Sequence, residues 1–270
     1  MRLRLQSLAG AFLAVCSLSA ASATPPTQTL VAARADLAPS GTLRAAINLG
    51  NPVLAHRDAA TGEARGVSVD LARELAVRLN VPLELVIYTA AGTVVEAIRS
   101  GAWDIAYLAI DPARAADIDF TAPYVEIEGA YLVPQQSPLQ HNSDVDRVGV
   151  RVVAARGSAY DLYLGRELRN ATLVYAPNSQ AVTEVMLGGK LDVAAGVKQQ
   201  LQADARRIPG LRVLDGRFMV IRQAMALPKD RLAGAKYLAV FVEDMKATGF
   251  VAASLTRHGI EGAIVAPAGR

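Results

Sequence analysis

Twice along this chain one pattern recurs: a short apolar run, a segment of helical period, and another short apolar run. In the first series "TLRAAIN" (42–48) reads as a strand. "GNPVLAHRDAATGEARG" follows as a loop with a turn at Thr61-Gly62. Leu71, Leu75 and Leu79 then recur at i, i+4, i+8 with Ala72 and Ala76 beside them, which predicts an amphipathic helix. "PLELVIY" (82–88) is the next strand, and "TVVEAIRSG" a short helix ending at Gly101, where glycine makes a left-handed cap easy. "WDIAYLAI" (103–110) is almost continuously apolar, as a strand covered on both faces must be. Strands alternating with helices in this way predict a parallel α/β sheet.

The second series begins near residue 147. "RVGVRVVA", "TLVYA" and "LDVAAG" are its strands; a helix follows Gly157-Ser158, and "SQAVTEVMLGG" and "VKQQLQADARR" are the next two helices. Near the end, "LAGAKYLAVFVEDMKATGFVAASLTRHGI" predicts two helices meeting at Gly249. Residues 24–40, rich in Pro, Thr and Ala, read as a loose leader. With 270 residues, 52% of them hydrophobic, the chain has material for one large domain or two smaller ones.

The first 23 residues carry a different signal. Arg2 and Arg4 precede "LAGAFLAVCSLSA", an apolar stretch too short to span a bilayer, and Ala21-Ser22-Ala23 offers a small-residue cleavage site. The expectation is a secretory signal peptide over 1–23 and a periplasmic product. A lipoprotein signal with Cys16 as lipid acceptor is the rival, although Val15 before it is bulkier than such sites usually take. Cleavage removes the single cysteine and leaves 26 basic against 25 acidic residues, so nothing asks for nucleic acid or an anionic membrane.

Catalytic and metal signatures are missing. His56, His141 and His258 lie far apart with no ligand spacing and read as surface or loop residues; there is no cysteine partner, no phosphate-binding loop and no nucleophile elbow. The expectation is no enzyme, no metal and no cofactor. What stands out instead is "AIDPARAADIDFTAPY" (109–124). Asp111-Pro112 reads as a helix start, which puts Arg114 where a cation opposes the helix dipole. Either Arg114 pairs with Asp117 at i+3, or it faces an anion from outside the chain. "ARGSAY" (155–160) and "PNSQAV" (177–182) are two more strand-to-helix junctions, each explicable as simple capping by Ser158 and by Asn178 or Ser179.

Three motifs together carry a resemblance: G-x-x-x-D-L-A-x-E-L-A (66–76), S-G-x-W-D-I-A (100–106), and P-x-R followed by D-F-T-x-P-Y (112–124), with "GGKLDVAAG" (188–196) behind them. In this order the chain, over roughly 41–265, resembles the amino-acid-type (family three) extracellular solute-binding proteins of ABC importers. The resemblance implies a periplasmic-binding-protein-like fold of two α/β lobes joined by two hinge strands. Lobe one would hold 24–128 plus 224–270, and lobe two 129–223. It implies a monomer that hands a small carboxylate-bearing ligand to an ABC transporter permease. Arg114 would grip the carboxylate; Asn51, Tyr107, Ala109 and Asp111 would line lobe one, and Gly157, Ser158 and Gly196 lobe two.

Departures from the family pattern limit the ligand. Ala109 and Asp111 stand where hydroxyl residues are frequent, and Leu54 replaces the usual stacking aromatic. No acid follows "LDVAAG", where Gly196, Val197 and Lys198 stand in place of the partner for an α-amino group. Either the ligand lacks a free amine, or another acid such as Asp111 or Asp104 meets it. Lys198 reads as a solvated helix residue or as the partner of a second negative group. Two other functions share the fold: a periplasmic dehydratase of cyclic carboxylic acids, which needs a general acid in the cleft, and a sensor that presents ligand to a receptor.

Overall fold

The computed structural model describes residues 26–269, so the expected signal peptide and Cys16 lie outside the described residues. A helix opens the described chain, α1 (Pro26–Leu37). This corrects the reading of 24–40 as a loose leader. Ala33 and Leu37 are buried, and a Cβ on Gly234 would meet Leu37 at 2.9 Å, so a later helix presses directly on α1. The burying surface lies two hundred residues downstream, where local sequence gives no hint of it.

The first half follows as β1 (Leu43–Asn48), the hairpin β2 (His56–Arg57) with β3 (Ala64–Arg65), α2 (Val67–Leu79), β4 (Leu83–Tyr88), α3 (Ala91–Glu96) and β5 (Ile105–Ala109). β1 pairs in parallel with β4 on one side and β5 on the other. Gly101 is left-handed, with φ 62°, as its cap position predicts. All five residues of β5 are buried. Ile105, Tyr107 and Ala109 face the main core, while Ala106 and Leu108 face a smaller one around Trp103, whose indole N–H donates to the Val94 carbonyl at 2.9 Å. Period two thus serves two cores from one strand.

A long strand, β6 (Ile118–Pro134), leads into the second half: β7 (Arg151–Ala155), α4 (Ala159–Glu167), β8 (Thr172–Ala176), α5 (Val182–Gly188), β9 (Val193–Val197), α6 (Lys198–Arg207) and β10 (Leu211–Val213). β7 pairs in parallel with β8 and β9. A second long strand, β11 (Met219–Pro228), returns antiparallel to β6, and α7 (Leu232–Ala247), α8 (Phe250–Arg257) and β12 (Ile264–Val265) complete the first half. Gly249 joins α7 to α8 with φ 76°. The main sheet runs β4-β1-β5-β11-β6-β9-β7-β8, two parallel units with the β6/β11 ribbon between them.

The histidine reading is corrected in part. His56 and His258 meet edge to face at 5.7 Å, and His258 Nε2 lies 2.9 Å from Asp70 Oδ2, which also accepts from Ser254 Oγ at 2.6 Å. A hairpin and the end of α8 bring together what sequence separation hides. Among the described residues no group of three His, Cys, Asp or Glu side chains is placed to hold a metal ion, and no helix is long and apolar enough to cross a membrane.

Candidate ligand-binding site

The carboxyl ends of β1, β5, β7 and β9 converge between the two halves, where open α/β sheets expose their connecting loops and helix starts to ligands. A cavity of about 30 Å³ lies there, room for roughly two waters. Asn51, Tyr107, Ala109 and Arg114 line it from the first half and Ser158 from the second, five of the residues named from sequence. A wider groove of about 550 Å³ runs between α6 and residues 259–262. It opens to solvent, and its Lys198 and Glu128 already pair with each other at 2.7 Å, so the buried cavity is the better candidate.

Arg114 does not sit in a helix. Residues 112–117 form consecutive turns: Arg114 N donates to Asp111 O, Ala115 N to Pro112 O, and Ala113 N to Asp111 Oδ1 at 2.9 Å. The chain must enter β6 at Ile118, which leaves no length for helical propagation. The pairing of Arg114 with Asp117 is absent too. The guanidinium turns inward and is 3% exposed. Nη1 donates to the Ala109 carbonyl and Nη2 to the Gly157 carbonyl in the other half, each at 2.8 Å, and Nε is buried without a partner. Burial lowers its pKa to about 10, with Asp111 opposing the shift, so it stays cationic at neutral pH.

Asp111 is held elsewhere. Arg166 of α4 clamps it at 2.9 and 3.2 Å, tying the two halves together, and it does not line the cavity. Gly196 is also missing from the lining. It pairs with Ala130, and a Cβ there would meet Leu201 at 3.3 Å, so Val197, one residue on, reaches the cavity instead. Asp104 lies at the opposite end of β5, bonded to Arg44 and Arg231. Neither acid is free to meet an amine, which corrects that expectation, and Lys198 is paired rather than free.

Gly157 contributes its backbone. Its φ of 70° suits glycine, and a Cβ there would lie 2.7 Å from the Gly92 Cα, so loop and α3 touch backbone to backbone across the cleft. Ser158 caps α4 by accepting from Asp161 N at 3.1 Å. Tyr160 donates to Ser179 Oγ at 2.7 Å, and burial pushes its phenol up to about 12. Ser179 is therefore more than a cap; Asn178 does the capping, accepting from Ala181 N. The Tyr107 hydroxyl is buried with no partner, and burial raises its pKa well above the ordinary phenol.

Gln223 was not legible as a site residue. It pairs across to Ala109 on β5 beside a register irregularity in β11, and such bulges re-aim side chains. Only the course of the return strand reveals it.

The family model for bacterial extracellular solute-binding proteins, family 3, matches residues 43–259. The chain belongs to that family. Among solved structures, this family-3 protein is similar to a mutant of ArgBP from T. maritima (TM-score 0.72, 19% identity, 84% of this chain and 99% of that one). It is also similar to a solute receptor for L-cysteine of Neisseria gonorrhoeae (0.72, 22%, 84% and 92%). A third similar structure is the ancestral amino-acid-binding protein AncCDT-1, a precursor of cyclohexadienyl dehydratase (0.68, 22%, 81% and 96%). At these identities the likeness carries the fold, two lobes about a cleft. A search of curated proteins returns no match.

Proposed function

We propose that this family-3 protein is an exported binding protein that captures a small carboxylate between its lobes and delivers it to an ABC importer. The observation that carries this reading is Arg114: a buried cation lining a cavity at the carboxyl end of a sheet, with one N–H that has no partner. An apolar side chain would pack there without the desolvation cost of such a charge, whereas an incoming carboxylate takes up a guanidinium fork by two parallel bonds. In the structure the Gly157 carbonyl accepts from Nη2, and a bound carboxylate would take that place.

Tyr107, Ala109 and Asn51 would contact the ligand from lobe one, and Ser158 and the Gly157 backbone from lobe two. The division at 128/129 has support from the pairing, since β6 joins β9 from Gly129 onward, and β11 joins β5 from Gln223, one residue before the 223/224 boundary. Ligand contacts from both lobes are what allow binding to favour closure. The dehydratase reading has less support, because the cavity lining holds no carboxyl group to act as a general acid.

The test is calorimetric titration of wild type and Arg114→Ala against a panel of carboxylic acids. Loss of a buried partner for the carboxylate predicts at least 100-fold weaker binding. Equal affinity in the variant rules out the clamp.

A further inference from the structure

Resting on that carboxylate reading, we propose that the cavity selects small acids that carry an oxygen function and no ammonium group, hydroxy or oxo acids in preference to amino acids. Of the fifteen residues lining it, one is charged, and that one is a cation. A single guanidinium neutralises a single carboxylate. An added ammonium would leave one uncompensated positive charge in a buried space, which is costly unless an acid stands beside it.

The neighbouring acids are committed. Asp111 takes both donors of Arg166 and the Ala113 N–H. Asp161 accepts the Gly157 N–H at 2.7 Å and is outside the lining. Asp104 lies at the far end of β5 with two arginines. Val197, the last residue of β9, lines the cavity where the family pattern would bring in an acid.

The unpaired groups point the same way. Arg114 Nε is a donor only, and the Tyr107 hydroxyl, kept protonated by burial, can donate. An ammonium brings a second positive charge to a lining whose acceptors are amide, hydroxyl and carbonyl oxygens, with no carboxylate among them. With the carboxylate taking the guanidinium fork, a hydroxyl or carbonyl oxygen beside it accepts the Tyr107 O–H.

Pairs of matched skeleton test this: lactate and pyruvate against alanine, glycerate against serine, and 2-oxoisovalerate against valine, with propionate as the acid lacking the extra oxygen. Titration calorimetry of the wild-type protein should find a hydroxy or oxo acid bound at least about 100-fold more tightly than the amino acid of the same skeleton. Tyr107→Phe should weaken that acid about tenfold more than it weakens propionate. An amino acid bound as tightly as its oxygen counterpart overturns the selectivity while the carboxylate clamp stands. If no acid of either kind binds, or Arg114→Ala binds them all as wild type does, the carboxylate reading falls and this one with it.

Discussion

At Arg114 a charge has been buried where packing alone would favour an apolar side chain. A pKa lowered from 12.5 to about 10 means that the folded state holds this proton less well than the unfolded chain does. The cation therefore destabilises the fold at neutral pH, on the order of 3 kcal/mol, and the penalty fades only as pH rises through 10. Arg114→Met removes that penalty, and two carbonyls, of Ala109 and Gly157, lose their donors at about 1 kcal/mol each. A net gain of about 1 kcal/mol should raise the ligand-free melting temperature by about 2–4 °C. Binding should be lost in the same variant. A melting temperature below wild type would mean that the two bonds to carbonyls outweigh desolvation, and that Arg114 serves the fold.

Among the elements, the contact between α3 and the loop before α4 decides how closely the halves approach. Gly157→Ala adds a Cβ to a residue with φ 70° and sets it 2.7 Å from the Gly92 Cα. The backbone term alone costs about 1 kcal/mol. The steric term acts only when the cleft is shut, so ligand affinity should fall by more than overall stability does. Melting curves with and without ligand separate the two, and an unchanged ligand-induced shift would remove Gly157 from the closing contact. Gly157 was readable as part of a strand-to-helix junction, because glycine and Ser158 carry local signals. So were the sheet and most helices, whose periods of 2 and 3.6 are written in adjacent residues. What stayed hidden depends on distant chain: α1 against α7, the Arg166 clamp on Asp111, Gln223 beside Ala109. The turn at 112–117 misread as a helix because Asp-Pro starts both, and only the nearness of β6 decides between them.

For the whole molecule the question is how far the cleft is biased toward closure before any ligand acts. Among the contacts that span it are Arg114 to Gly157 O, Arg166 to Asp111, Gln180 to Leu49 O at 3.3 Å, and Gln199 to Glu261 O at 3.1 Å. The Arg166–Asp111 pair can be removed without touching the cavity. Arg166 is 44% exposed in its side chain and Asp111 5%, so Arg166→Ala leaves a buried carboxylate in the closed form and a hydrated one in the open form. Because the pair is partly screened, its loss should cost closure about 1 kcal/mol. A ligand that binds the closed form must then supply that difference, which weakens its apparent affinity about fivefold. Small-angle scattering of the ligand-free variant should show a larger radius of gyration than wild type, and saturating ligand should bring the two together. Equal radii without ligand, with equal affinity, would mean that the pair does not bias the cleft and that closure depends on the ligand and Arg114.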